Sequence, residues 1–493
     1  MQEAVGSEGH RSRRGQRRRR RTARPAVFAW PQQLPRPTLA GIPAYIFFFV
    51  LAFVPLPFGS YDKTVSAFWC GVLALCMIAI AFASIRLGMG QLRLLTGIGV
   101  IVLGYAFVLH EQMADQPWVA SFHPIWKRTS DVLGIPIAPS VSIVRGEPFF
   151  ALGPTIANIL ALVCGLVIGA DRVRARQVLL VIAWSGAAYA VYGLLSFLLE
   201  PSMLLWREKR YYLGSLTATF VNRNTAAAYL GSCAVIWLVL LLERAREHLK
   251  MNPIVWGRVP AMLADNPPRA IVLAFGCFFC CLIALFLTTS RAGIVLSLMA
   301  LVGTFVVYFR RDLPTRSALW IAVAAGAALA LLLLQLFGGV VSSRFDVQGL
   351  ADEGRWAAYV STFKMIRDFP WFGTGLGTFS WAFPAYRSPD VSMNGVWDIA
   401  HNTPLELASE VGLPLTLLVA AGWLVAFIVL RRGIVGRHRD VIIPLAACAV
   451  ALIANLHSLI DFSLQIPGYA IVVFGLTGVG LSQSFRTAEL PRN

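Results

Sequence analysis

The chain has 493 residues, of which 57% are hydrophobic and 14% charged, and its mean hydropathy is +0.66. A soluble domain cannot bury that much apolar surface, and here it falls in blocks of roughly 17–25 residues, the length of a membrane-crossing helix. A membrane barrel would show short alternating segments instead and is excluded.

In chain order, the first feature is a basic arm, residues 1–36. Its run "RSRRGQRRRRRTAR" (11–24) supplies about half of the net charge of +18. Such a run can bind nucleic acid or anionic lipid. It has no apolar core before residue 27, so it does not read as a cleavable signal peptide. It reads as a disordered cytoplasmic tail that orients the first span, with no nucleic-acid partner.

About twelve spans follow: 39–57, 65–84, 92–109, 154–170, 177–198, 224–242, 270–288, 291–309, 318–337, 412–430, 440–456 and 466–484. The predicted fold class is therefore all-α, a polytopic helical bundle with a partly helical periplasmic loop before the tenth span. The domain reading is 37–198 for an N-terminal bundle and 199–485 for a catalytic membrane region with its outer loop at 338–411, followed by a tail, 486–493. The eight cysteines lie in apolar runs without metal-ligand spacing, so neither disulfides nor zinc are implied.

With the basic arm inside and the spans alternating, the inner segments carry "SIRLGMGQLR", "DRVRAR", "ERAREHLK", "RRDLPTR", "RRGIVGRHR" and the tail with Arg486. Every one is basic, as the positive-inside rule requires. Both termini come out cytoplasmic, and the long connections 110–153 and 338–411 face outward. The second holds an amphipathic segment, "GRWAAYVSTFKMIRD" (354–368), expected at the membrane surface. "FPWFGTGLGTFSWAFPAY" (369–386) follows. No strand precedes its glycines and nucleotides are absent on that side, so it reads as a turn-rich aromatic segment.

Three outward-facing helix starts carry a basic residue. In "TATFVNRNTAAAYLG", Arg223 precedes Asn224 and Thr225, candidate N-caps of the sixth span. In "LTTSRAGIVLSLM", Ser290 caps the eighth span with Arg291 in its first turn. In "AHNTPLELASEVG", Thr403 is the expected N-cap, Pro404 the first helical residue and Glu406 the partner that closes a capping box. That leaves His401 and Asn402 outside the helix, unexplained by capping. Helix N-termini attract anions, and arginine offers a donor fork suited to phosphate. A charge at membrane depth costs roughly 2.5–3.5 kcal/mol on insertion scales and usually has a partner or a function. A snorkelling interfacial arginine is the plain alternative for either one alone. His457 and Asp461, in "NLHSLIDFSLQIPGYA", read as a pair that fixes a turn. The outer loops contain no DxD pair, GxxxxGK loop or GxSxG nucleophile, so any chemistry there is expected to need no metal and no cofactor and to use an activated donor.

Together "TFVNRNTAAAYL", "LTTSRAG", "FPWFGTGLGTF", "HNTPLELASEVGLP" and "HSLIDFSLQIP" resemble, in that order and over about 210–480, the O-antigen ligase and polymerase superfamily of bacterial envelope glycosyltransferases. His401, Asn402, a nine-residue gap and Gly412 fit the ligase pattern, and Leu415 stands where that pattern has a small residue. The resemblance implies an inner-membrane enzyme whose periplasmic face takes a polyprenyl-diphosphate-linked glycan as donor. By resemblance Arg223 and Arg291 bind the diphosphate and His401 assists transfer to an acceptor hydroxyl. Asn224, Ser290 and Asn402 join the substrate-binding set, and Glu410, His457, Asp461 and Arg355 are expected in support. Ligation to lipid A–core is the leading expectation. A polymerase, a protein O-oligosaccharyltransferase and an anion transporter stay open; a transporter would more often show internal repeats, and none is evident.

Overall fold

The computed structural model describes residues 41–83, 85–249, 267–312, 315–337, 353–391, 397–437 and 440–485, together with 257 and 261. The basic arm, the tail with Arg486 and the first part of the loop 338–411 lie outside the described residues.

A helix lies at each of the twelve expected positions. In order these are α1 (Ile42–Phe53), α2 (Lys63–Ala81) and α3 (Met89–Met113), then a short outer helix α4 (Pro124–Leu133). Next come α5 (Leu152–Ile168), α6 (Arg172–Leu199), α7 (Arg223–Leu249), α8 (Arg269–Leu287), α9 (Arg291–Phe309) and α10 (Arg316–Phe337). The outer loop contributes α11 (Glu353–Asp368) and α12 (Thr403–Val411), before α13 (Leu413–Gly436), α14 (Ile442–Ser458) and α15 (Pro467–Gln483). Among the described residues eight helices are long and apolar enough to cross a membrane, and α1 and α14 are shorter apolar helices. The chain is a multi-pass helical membrane protein. Among the described residues the one departure from all-α is a hairpin, β1 (Met203–Leu204) paired antiparallel with β2 (Arg207–Glu208).

The bundle is organised around α7, which is buried on every side from Thr225 to Leu240 and packs on α8, α9 and α14. In a bilayer the apolar side chains gain little by leaving lipid for protein, so close backbone approach carries the packing. The α5–α15 contact shows this. A Cβ on Gly165 would collide with the carbonyl of Gly475, and one on Gly478 with that of Leu162. The same device joins α7 to α9, where Gly293 lies against the Ala227 methyl and Gly231 against Ser297. Those contacts fall within a turn or two of Arg223 and Arg291, so they set the two helix starts side by side.

The basic residues of the expected inner segments gather at the other end of α7. Arg176 pairs with Glu243, Arg172 with Asp440 and Arg246 with Asp312 (2.9 Å), while Arg310 donates to the carbonyl of Ile434 (2.6 Å). Partly buried pairs with geometry of this kind hold helix ends more firmly than exposed ones.

The segment between α10 and α12 has a small core of its own, built from Ala358, Met365, Phe379, Phe383, Val391 and Ala400. Helix α11 turns Ala357, Ala358, Ser361 and Met365 inward and leaves the large apolar Trp356, Val360 and Phe363 exposed, so its free face is not the polar one of the expected amphipathic helix. The aromatic segment after it is a chain of turns, with Gly373, Gly375 and Gly377 all at positive φ. It lies on the end of α12, where Thr374 N–H donates to the Ser409 carbonyl and Gly375 N–H to that of Glu410. Buried Gln112 ties the end of α3 to α12 and the segment before it. Its amide Nε2 donates to the carbonyls of Phe372 and Glu410, and its Oε1 accepts from Leu376 N–H.

Candidate functional site

The helix starts are capped differently from the sequence reading. At α7 the cap is Asn222, whose Oδ1 accepts from Asn224 N–H (2.7 Å), rather than Asn224 or Thr225. Arg223 is thereby the first helical residue, and the Asn224 side chain is released from capping. At α9 the expectation holds: Ser290 Oγ accepts from Gly293 N–H (3.4 Å) with Arg291 next. At α12 the cap is Asn402, whose Oδ1 accepts from Leu405 N–H (3.1 Å), so Thr403 is a helical residue instead of the cap. Glu406 closes no box with Thr403; its carboxylate accepts from Ala400 N–H (2.7 Å), one residue before His401. At both sites the residue just before the first helical one is an asparagine, and its Oδ1 reaches a free N–H of the first turn.

The starts of α7 and α12 meet at one residue, Asp461, in the turn between α14 and α15. Its Oδ1 accepts from His401 Nδ1 (3.1 Å) and from its neighbour Phe462 N–H (2.9 Å), and its Oδ2 accepts from Asn224 Nδ2. The turn's carbonyls are taken up from the other side: Leu459 by Asn402 Nδ2 (2.9 Å), Ile460 by Arg355 Nη1 (3.2 Å) and Asp461 by Thr403 Oγ1 (3.4 Å). A link from α7 to α9 completes the chain, since Arg223 Nη1 donates to Thr289 Oγ1 (3.1 Å), two residues before Arg291. Arg223 also lies over the Tyr212 ring, 5.1 Å from its centroid, a cation–π contact.

The expected His457–Asp461 pair is corrected by this arrangement. The Asp461 carboxylate turns to His401, and the buried His457 ring instead shares a hydrogen bond with Ser463 Oγ (2.9 Å). One helical turn of separation brings the two backbones together, yet a stronger partner sits across the turn. Glu410 also lies elsewhere. Its carboxylate accepts from Phe379 N–H (3.0 Å), on the face of α12 away from Asp461.

Asp461 is 2% exposed. Burial pushes its carboxyl up, but the hydrogen bond from His401 and the nearby His457 and Arg355 outweigh that and hold it below the ordinary carboxylate range. A depressed carboxylate adds stability above its ordinary range and loses it only as the pH falls through the depressed one, so the link persists at neutral pH. An ionised carboxylate only accepts, so the His401 proton sits on Nδ1 and the Nε2 lone pair is left for another group.

Three residues of the site hold backbone conformations that side chains usually avoid: Tyr212 at φ 61°, Thr289 at φ 54° and His401 at φ 52°. Such strain survives only where the surroundings over-determine it, and it concentrates at functional sites. For His401 the anchors are visible. Glu406 holds the N–H of Ala400, and Tyr359 Oη donates to the His401 carbonyl (3.0 Å). Trp397 and Phe462 bracket the ring edge to face, at 5.6 and 5.3 Å.

Burial, with the Glu410 charge nearby, raises the Glu406 carboxyl well above the usual range. A raised carboxyl stabilises the fold below its ordinary range, and that stability is lost as pH rises through the raised one. Glu406→Gln keeps an acceptor for Ala400 N–H and removes the titration, so it should flatten the fall in melting temperature between the ordinary carboxylate range and about pH 8. Glu406→Ala strands that N–H, at a cost of about 1–3 kcal/mol, and should slow any reaction that uses His401. Equal melting curves for all three proteins would remove Glu406 from this role.

Asn222, Tyr212, Thr289, Ser215 and Tyr359 were not singled out in the sequence. Asn222 and Thr289 directly flank quoted arginine motifs, and Asn222 was legible as a competing cap. Tyr212, Tyr359 and Ser215, whose Oγ shares a hydrogen bond with Thr289 Oγ1 (2.7 Å) and accepts from Arg223 Nη1 (3.4 Å), carry no local signal, since their contacts are made through the fold.

Residues 276–420 match the family model described as O-antigen ligase. No curated protein gives a significant match to the chain. The matched stretch contains Arg291, His401, Asn402 and Glu406, whereas Arg223, Asn224 and Asp461 join them through the fold. Across residues 276–420 this multi-pass membrane protein is O-antigen ligase-like.

Proposed function

We propose that the protein is a metal-independent glycosyltransferase of the bacterial inner membrane, with both termini cytoplasmic and its site facing the periplasm. It moves a polyprenyl-diphosphate-linked glycan onto an acceptor, with lipid A–core as the preferred one. The observation that carries this reading is a pair of side-chain links made by adjacent residues at the start of α7, Arg223 to Thr289 beside the α9 start and Asn224 through Asp461 to the His401 imidazole.

In this reading Arg223 and Arg291 hold the diphosphate at the N-termini of α7 and α9. The acceptor hydroxyl attacks the anomeric carbon, its proton passes to His401 Nε2, and the bond from that carbon to the phosphate oxygen breaks with its electron pair. Negative charge then grows on the departing diphosphate, where preplaced guanidiniums and helix ends stabilise it more than they stabilise the ground state. General-base help from a histidine contributes roughly 10²–10⁴-fold.

A polymerase, with a second lipid-linked glycan as acceptor, is the second reading, motivated by Leu415. That side chain is buried, and its Cδ1 would lie 3.2 Å from a Cβ added at Gly104 of α3. The larger residue is thus accommodated by a missing side chain opposite, in a helix contact and not among the groups around Asp461.

The test is reconstitution with a polyprenyl-diphosphate glycan and separate acceptors, in buffer containing a strong chelator. Sugar on lipid A–core supports the ligase, and lengthened lipid-linked glycan supports the polymerase. His401→Ala should keep donor binding and lose roughly 10²–10⁴-fold in transfer rate. Wild-type turnover by that variant would remove His401 from the mechanism.

A further inference from the structure

A basic hairpin stands beside Arg223. Strands β1 and β2 lie between α6 and α7, and their pairing runs one step further, since Lys209 N–H donates to the Ser202 carbonyl (2.7 Å). Side chains alternate across a strand, so Arg207 and Lys209 share one face, about 7 Å apart, and Glu208 takes the other. Two contacts pin the hairpin to the bundle. Leu205 N–H donates to Tyr192 Oη of α6 (2.8 Å), and the Phe58 ring, between α1 and α2, meets Trp206 at 4.9 Å and the Arg207 guanidinium at 4.6 Å. The other cation of that face leads into the site. Lys209 Nζ donates to the Ser215 carbonyl (3.3 Å), and Ser215 Oγ accepts from Arg223 Nη1 (3.4 Å). Among the described residues, Arg207, Lys209 and the exposed Arg210 make no ion pair. Asp62 lies within range of the Arg207 charge but caps α2, with its Oδ1 accepting from Thr64 N–H (2.8 Å). Lys209 is half-buried, and burial pulls its ammonium below the ordinary lysine range. A cation drawn out of water with no carboxylate paired to it favours an anion that can reach it.

We propose that the face of this hairpin bearing Arg207 and Lys209 binds a phosphate group of the acceptor, next to the site at Arg223. The proposal rests on the glycosyl-transfer reading for the division between donor and acceptor, but the anion site itself does not. Both acceptors considered above are anionic, and arginine and lysine are the side chains suited to phosphate oxygens. In that reading the donor diphosphate is held between the starts of α7 and α9. The cations Arg223, Lys209 and Arg207 form a row that leads instead to the turn between α1 and α2, where Phe58 lies. A row of that length is longer than one diphosphate, so a second anionic group fits its far end. Glu208 points to the opposite face and does not oppose that group.

The experiment uses the full chain in lipid nanodiscs, with phosphorylated lipid A–core and the same molecule stripped of phosphate as probes. Binding is measured directly in the absence of donor, and transfer is measured separately. The double variant Arg207→Gln with Lys209→Gln removes both charges and keeps an amide donor for the Ser215 carbonyl. A second double variant, Arg207→Lys with Lys209→Arg, keeps both charges at the same positions. The phosphorylated probe should bind the glutamine variant about tenfold more weakly than wild type and the charge-keeping variant within about twofold of it. The stripped probe should bind all three proteins alike. The preference of the wild-type protein for the phosphorylated probe should shrink as salt rises. In the transfer assay the glutamine variant should raise the acceptor KM about tenfold with the donor KM unchanged. Equal binding of the phosphorylated probe by wild type and the glutamine variant overturns the proposal, as does an equal loss for the stripped probe. Loss of binding in the charge-keeping variant as well traces the effect to packing and overturns it too. A raised donor KM with the acceptor KM unchanged assigns the row to the donor and has the same consequence. Phosphate-selective binding with no glycosyl transfer to any acceptor supports the anion site and overturns the transferase reading.

Discussion

Asp461→Asn should slow glycosyl transfer by roughly 10²–10⁴-fold while the protein still binds donor, the range expected when a general base loses its working tautomer. The asparagine amide would donate to His401 Nδ1, where the carboxylate accepts. The imidazole proton would then move to Nε2, the nitrogen that has to receive the acceptor's proton. Asp461 also anchors Asn224 and closes the turn to α12. Asparagine retains one oxygen for those contacts, so the helix starts stay assembled better than with alanine. Single-turnover transfer, donor binding and melting temperature should be measured together. Slowed transfer with near-normal binding and melting identifies the His401 link as the cause. Transfer at the wild-type rate would mean that the Asp461–His401 bond is structural only.

Arg291→Lys carries the second large effect. The charge is kept, but the planar fork is replaced by a point charge on a flexible stem. If the guanidinium binds a diphosphate through two parallel hydrogen bonds, the loss is that of one charged hydrogen bond, about 1.5–3 kcal/mol, or roughly 10–150-fold in rate. Lysine at the start of α9 leaves the Ser290 cap and the Gly293–Ala227 contact as they are, so the bundle is expected to melt normally. Equal kcat/KM in the lysine variant would argue against a diphosphate clamp and for a generic positive charge at that helix start.

The spans, their order and the basic ends were legible in the sequence because they are local properties. A run such as "LAFGCFFCCLIALFL" must be helical wherever it lies in a membrane, since every backbone group has to be satisfied within the segment. The three helix starts were legible for the same reason, as short stretches with a basic residue and a small polar neighbour. Which polar neighbour caps was not. Asn222 and Asn402 displaced Asn224 and Thr403 because chain direction on entry to the helix decides whose oxygen reaches the free N–H groups.

The partner of His401 was the larger gap. Asp461 is 60 residues away and was read as a partner for His457, one turn before it. Sequence spacing favours a near neighbour, whereas the fold delivers His401 to the same carboxylate by stacking α12 on the turn between α14 and α15. The strain at Tyr212, Thr289 and His401 was equally hidden, because positive φ in a residue with a side chain is imposed by tertiary anchors, with no local preference to announce it.

By itself, the amino-acid sequence determined a polytopic helical membrane protein, the placement of its spans and three polar helix starts marked by Arg223, Arg291 and His401. The tertiary structure alone decided that the starts of α7 and α12 meet at Asp461, that Arg223 reaches Thr289 beside the start of α9, and that Glu406 and Tyr359 hold His401 from both sides. The physical reason is one of range: burial and capping are set by neighbours in sequence, but the convergence of charges depends on how closely glycine-lined helices such as α7 and α9 can approach.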